Sequence, residues 1–191
     1  MTPLDTENKV LLLLSGPVAA GKSTLATLFE KSIPIRRIST GSYLLTKMES
    51  GSSVNARYNL QEFGDQLDFE TNFTWIYWGL VLPELNHAPN HLFWVLDSVR
   101  KLEQVECLRK WFPGKVFHVH VTASGHLLKK RYDARGRSVD SQPYSIISTH
   151  PNEIAARNLI SVADFVFNTD DEGLMEEQMI ALIQHIKADR R

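Results

Sequence analysis

The densest chemistry in this chain lies in nine consecutive residues, Gly16-Pro17-Val18-Ala19-Ala20-Gly21-Lys22-Ser23-Thr24. Two glycines frame four residues and are followed by a lysine and a serine, the G-x-x-x-x-G-K-[ST] pattern of a phosphate-binding loop. Glycine at both ends lets successive backbone N–H groups turn inward and form an anion nest. A helix starting at about Gly21 would add its positive dipole end to the same anion. Lys22 is then expected to reach the β- and γ-phosphates of a nucleotide, and the Ser23 hydroxyl to ligate Mg²⁺.

Two further groups of residues could serve the same chemistry. Asp97 ends the apolar run His91-Leu-Phe-Trp-Val-Leu-Asp97, where a carboxylate can hold a water of the Mg²⁺ shell or cap the helix that follows. Arg100, three residues on, would either take a substrate phosphate bidentately or pair with a nearby acid on a helix surface. The run Lys129-Lys-Arg-Tyr-Asp-Ala-Arg-Gly-Arg137 is cationic at five of nine positions, with Arg131 and Arg135 on one helical face. A solvated helix C-terminus and a nucleic-acid patch are alternatives. The order along the chain favours a mobile lid over about 131–150 that neutralises a transferring phosphate.

Other chemistry-bearing residues read more simply. Trp75, Tyr77 and Trp78 could stack a base, but at helical spacing they are expected to pack a subdomain. His118 and His120 share one face of a strand and are expected to be buried and hydrogen-bonded, since no further metal ligands accompany them. Glu153 reads as a first-turn helix acid without a catalytic role. Asp65 and Asp68 read as a solvated helix face.

The elements that must position these residues alternate. Strands are expected at about 9–15, 35–39, 91–97, 115–121 and 164–168. Helices are expected at about 22–32, 42–50, 55–70, 73–86, 101–111, 124–134, 151–162 and 172–188. This alternation predicts an α/β fold in three layers, a five-stranded parallel sheet between helices. Ligands in such folds sit at the carboxyl ends of the strands, where the phosphate loop and Asp97 fall. The whole chain, 1–191, reads as one domain, with a helical insertion at 41–88 on the acceptor side.

Composition excludes several classes. At 191 residues and a net charge of −1, the chain has no electrostatic footprint for nucleic acid or an anionic membrane. One cysteine, Cys107, leaves no internal disulfide and suits a reducing compartment. Asp5 and Glu7 precede an apolar run too short for a leader or a membrane span. A cytoplasmic protein is expected, monomeric or homodimeric, acting on a small molecule.

Four stretches together resemble the nucleoside monophosphate kinase branch of P-loop kinases, which includes adenylate kinase, phage-type deoxynucleotide monophosphate kinases and dephospho-CoA kinase. They are Gly16–Thr24, Ile38-Ser-Thr-Gly41, Asp97-Ser-Val-Arg100, and the arginine series followed by Ala163-Asp-Phe-Val-Phe-Asn168. The resemblance implies ATP and Mg²⁺, with Gly16 to Thr24 on the donor phosphates and Asn168 beside the donor base. It implies Thr40, Gly41, Arg57 and Arg100 on the acceptor nucleotide, and Arg131, Arg135 and Arg137 closing over the γ-phosphoryl. Lys22, Asp97 and these arginines would carry the transfer to a nucleoside or deoxynucleoside monophosphate. The chain departs from that pattern in Ser42, where relatives carry an acid, and in the acidic stretch Phe63-Gly-Asp-Gln-Leu-Asp-Phe-Glu70. Alternatives are a hydroxyl acceptor, as in dephospho-CoA kinase, with Asp97 or Asp65 as the carboxylate near the hydroxyl, and a nucleotide-dependent switch subunit.

Overall fold

In the strand β1, Val10–Ser15, all six residues are buried, and they alternate between two cores. Leu11 and Leu13 face one layer of helices, while Val10, Leu12 and Leu14 face the other. A strand apolar on both faces belongs in the centre of a parallel sheet, and β1 lies there. The computed structural model describes residues 8–48, 56–135 and 142–189. Its sheet has the order β2-β3-β1-β4-β5, every neighbour parallel, with β2 Ile35–Ile38, β3 Phe93–Leu96, β4 Lys115–Thr122 and β5 Phe165–Asn168. All five expected strands are present, within about two residues at their ends.

Helices cover both faces. α1 (Lys22–Ser32) and α9 (Glu172–Asp189) pack Leu25, Phe29, Met175, Met179 and Leu182 against Val95, Val119 and Val121. On the other face α2 (Thr40–Lys47), α3 (Ala56–Thr71), α4 (Leu82–His87) and α5 (Leu102–Trp111) bury Leu44, Leu85, Val105 and Leu108 against Trp94 and Leu96. α6 (Gly125–Asp133), the short α7 (Tyr144–Ile147) and α8 (Pro151–Asn158) follow β4, and a 3₁₀ turn at Leu159–Val162 leads into β5. Among the described residues no helix is long and apolar enough to cross a membrane.

The insertion differs from its sequence reading in one element. The expected continuous helix at 73–86 starts after a break, where Asn72 and Phe73 take left-handed backbone with φ of 48° and 63°. It then runs as a π-helix over Ile76–Val81 before α4. Pro83 explains the wider turn, since it lacks the N–H that would bond to Gly79 and its ring would strike that carbonyl. α7 is a further difference, falling where a polar loop is expected. Its Ile147 joins Val18, Ala19 and Tyr132 in a small apolar cluster on the phosphate loop. Arg137, with the rest of 136–141 in the stretch expected as a lid, lies outside the described residues.

Candidate active site

The loop after β1 has a fixed shape because β4 crowds it. Gly16 has φ of 125°, and a Cβ there would lie 2.0 Å from the Val121 carbonyl oxygen, so the close approach requires glycine. Gly21, at φ 100°, is the N-cap of α1, and Ala19 between them is also left-handed at 67°. Lys22 Nζ folds back over the loop and donates to the carbonyls of Gly16 (2.5 Å) and Pro17 (2.8 Å). Its ammonium thus stands at the mouth that a polyphosphate would fill.

Beneath the loop lies a buried polar chain. Ser15 Oγ is 2.6 Å from His118 Nε2 and 2.9 Å from His120 Nδ1, while His118 Nδ1 is 3.2 Å from the Val162 carbonyl. Every contact is satisfied if both rings are neutral. His118 Nδ1–H donates to the carbonyl, Ser15 donates to His118 Nε2, and His120 Nδ1–H donates to Ser15. Burial pushes His118 below its ordinary pKa. Burial, then His118 and the Lys22 charge, lower His120 to about 4. These histidines are structural supports, as their strand positions predict, and among the described residues no group of three or more His, Cys, Asp or Glu is placed to hold a metal.

The loop is one wall of a cavity of about 290 Å³. The facing wall comes from five separate segments. Leu96 pairs with Leu13, so Asp97 stands abreast of Leu14 just below the loop. Its Oδ1 accepts from the Thr40 N–H (3.2 Å) and its Oδ2 from Arg37 Nη2 (2.9 Å). Ser39 caps α2, which makes Thr40 and Gly41 first-turn residues of that helix, both lining the cavity. Ser23 lines it as well. Ser23 and one carboxylate suit Mg²⁺, a cation that usually keeps several waters.

Asp68 corrects its sequence reading. The expected solvated carboxylate is buried, accepting from Trp75 Nε1 (2.8 Å), Gln104 Nε2 (3.1 Å) and Lys101 Nζ (2.8 Å). Asp65 is half exposed but not simply solvated, since it accepts from Lys101 Nζ (2.6 Å) and Asn152 Nδ2 (3.0 Å). Burial pushes the Lys101 ammonium down, but its hydrogen bonds to Asp65 and Asp68 outweigh that and hold it above the ordinary lysine range. Trp75 stacks on Tyr43 within the core, as expected, and also lines this wall. Gln61, buried on the same wall, has an Nε2 with no hydrogen-bond partner. Arg57 lies in the first turn of α3.

Glu153 stands in the first turn of α8, as read from the sequence, but it is buried there. It is only 1% exposed, with Oε1 accepting from Arg100 Nη1 at 2.6 Å and Oε2 from the Val18 N–H at 2.8 Å.

A second cleft, about 670 Å³, opens on the other side of the loop. Ala19, Gly21, Thr24 and Leu28 line it together with Arg131, Arg135 and Gly173, Met175 and Glu176 of the start of α9. Arg131 and Arg135, one face of a helix in sequence, part company here. Arg131 donates to Thr169 Oγ1 (2.8 Å) and to the Thr169 carbonyl (2.7 Å). Arg135 lines both cavities. Asn168 is exposed at the end of β5, its Oδ1 accepting from the Asp170 N–H (2.9 Å). Its neighbour Thr169 is the residue that reaches the loop, donating to the Ala20 carbonyl (2.9 Å).

No family model matches this chain, and no curated protein does. Solved structures do. The chain is similar to a shikimate kinase from Bacteroides thetaiotaomicron, at 15% identity over 93% of this chain and 98% of that one, with a TM-score of 0.55. It is similar also to an unliganded sugar kinase from a Janibacter species, at 14% identity over 92% and 94%, with a TM-score of 0.52. Identities this low carry the fold alone, and they establish it: an α/β protein whose five-stranded parallel sheet, flanked by helices, is the architecture of these kinases over nearly their whole length.

Proposed function

We propose that this chain is an ATP-dependent phosphotransferase that moves the γ-phosphoryl of ATP to a hydroxyl of a small molecule that carries no phosphate. The observation that carries the reading is a cavity walled on one side by the phosphate loop and on the other by Arg100 and Lys101, each already paired with carboxylates. Arg100 is bound to Glu153, Lys101 to Asp65 and Asp68, and Arg37 to Asp97. A phosphomonoester acceptor, as the monophosphate kinase resemblance implies, calls for positive charge to spare on that wall. Here Arg100 and Lys101 are matched by three carboxylates, Glu153 behind the wall and Asp65 and Asp68 on it. A wall of matched donors and acceptors beside Trp75 suits a polyol instead. The names of the solved relatives also point to hydroxyl acceptors, a sugar and the hydroxy acid shikimate.

Phosphoryl transfer asks mainly for positioning and charge neutralisation. The donor chain would lie along the loop N–H groups, with its base end in the cleft beside Met175. Lys22 would leave the carbonyls of Gly16 and Pro17 for the β- and γ-phosphates, gaining a charged partner for two neutral ones. Ser23 and, through water, Asp97 would hold Mg²⁺, which when bound neutralises charge between those phosphates. Arg135 borders both cavities and is suited to the equatorial oxygens of the transferring group. A lid over 131–150 would exclude water. Asp97, beside the loop and oriented by the Thr40 N–H that donates to its Oδ1, would hold the attacking hydroxyl and accept its proton as the new P–O bond forms and ADP leaves.

The reading is tested by following ADP release from Mg-ATP with a panel of sugars, cyclitols and hydroxy acids, and with nucleoside monophosphates alongside. Acceptor-dependent release with one or a few hydroxyl compounds is the expected result. Release driven by a monophosphate, or by no small molecule at all, would overturn it.

A further inference from the structure

Glu153 has two partners that ordinarily serve a ligand. The N–H of Val18 belongs to a loop whose amides collect anions, and Arg100 is the guanidinium nearest in sequence to the Asp97 turn. The carboxylate of one buried residue occupies both. A first-turn acid at a helix N-terminus normally stays in water, where the helix dipole alone favours it. Burying it is unfavourable unless it is paired and hydrogen-bonded, and Glu153 is both. Its helix is tied down by a second contact, since the adjacent Asn152 donates to both oxygens of Asp65 (3.0 Å each). Arg100 is fixed at its backbone too, where its N–H donates to Gln104 Oε1 (2.9 Å).

We propose that Glu153 is a specificity-determining residue, a built-in counter-anion that neutralises Arg100 and fills the Val18 amide, and so bars phosphomonoesters and other dianions from the acceptor wall. The inference rests on the hydroxyl-acceptor reading and gives that preference a physical cause. A dianion approaching Arg100 meets the carboxylate behind it, and the two anions repel in a site of reduced dielectric. A neutral hydroxyl compound meets no such barrier and still finds the remaining donors of the wall.

The test uses the intact protein saturated with MgADP, so that the phosphate loop is filled, and measures binding of inorganic phosphate by calorimetry. Glu153→Gln keeps the shape and an oxygen for the Val18 N–H but removes the charge. It should bind phosphate at least about tenfold more tightly than the unaltered protein. Arg100→Met alone should bind phosphate no more tightly than the unaltered protein, because it leaves the Glu153 carboxylate without its counter-charge. The double variant Arg100→Met, Glu153→Gln should lose the gain. Equal affinity in the unaltered protein and Glu153→Gln, or a gain that survives in the double variant, would overturn the proposal. If Glu153→Gln does not fold, Glu153→Ala takes its place in the same comparison, with the same gain expected and its absence overturning the proposal. Failure of the hydroxyl-acceptor reading is seen separately, in the transfer assay, which does not depend on phosphate affinity.

Discussion

The wall that carries Gly16 to Thr24 is built within nine successive residues, and its working groups are backbone amides and one helix end, joined by the side chains of Lys22 and Ser23. The wall opposite is built from side chains. Asp68 of α3, Trp75, Asp97 after β3, Gln104 of α5 and Asn152 of α8 are drawn together from positions up to 84 residues apart in the chain. A backbone device is specified by where glycine must stand, so it tolerates few changes and signals itself in sequence. A side-chain wall is specified by pairing, so it can be retuned residue by residue while the sheet and loop stay as they are. On this scaffold the donor is held by the rigid part and the acceptor by the adjustable part.

The comparison breaks most visibly at Gly16. Gly16→Ala would drive a Cβ into the Val121 carbonyl and force a left-handed φ, for a loss of about 4 kcal/mol in stability by urea unfolding, with MgADP binding abolished. A variant as stable as the parent would mean that the loop is not pinned by β4. Lys22→Ala should leave the unfolding midpoint unchanged and lower kcat by about a hundredfold or more, with the acceptor KM nearly constant. Kinetics that change only in acceptor KM would assign the lysine to the wrong wall.

The histidines under the loop sharpen the contrast through pH. His120 is held at about 4, below its unfolded value, by burial first and then by His118 and Lys22. Between about pH 6.5 and pH 4 the unfolded chain therefore binds a proton that the folded chain refuses. Stability is fully present above the unfolded pKa and falls as the pH drops through that window, by about 3 kcal/mol at most from this group. Thermal unfolding across the range should show the decline, and His120→Asn should flatten it. An unchanged slope in that variant would remove the histidine from the account of acid sensitivity.

The acceptor wall should answer more mildly. Asp68→Ala leaves Trp75 Nε1 and Lys101 without a buried partner, but solvent reaches Lys101, so about 2 kcal/mol is expected rather than the full cost of breaking a buried pair. MgADP affinity should be preserved, while acceptor KM rises. Equal damage to both ligands would show that the walls are not independent.

Legibility in the sequence follows the same division. The sheet is readable because Val10 to Leu14 and the run at Phe93–Leu96 are apolar on both faces and Lys115–Thr122 alternates with a period of two, and the loop is readable from its glycines and Lys22. Asp97, Thr40 and Gly41 are legible because strand ends face the ligand side in any such fold. Asp65, Asp68 and Glu153 are not, since a carboxylate on a helix looks the same whether it faces water or a partner brought in by tertiary structure. Arg131 shows the limit from the other side. Helical spacing aligns it with Arg135, but Thr169, which no local pattern distinguishes, draws it to the β5 turn. The π-helix at Ile76–Val81 was likewise hidden, because Pro83 marks a disturbance without saying whether the helix kinks, stops or widens.

The most direct test is phosphorus NMR of the products formed from Mg-ATP when the protein meets neutral hydroxyl compounds and nucleoside monophosphates in separate reactions. A new phosphomonoester resonance with a hydroxyl compound, matched by ADP, is the predicted result. A nucleoside diphosphate formed from a monophosphate, or ATP lost to free phosphate with no phosphorylated acceptor, would contradict it.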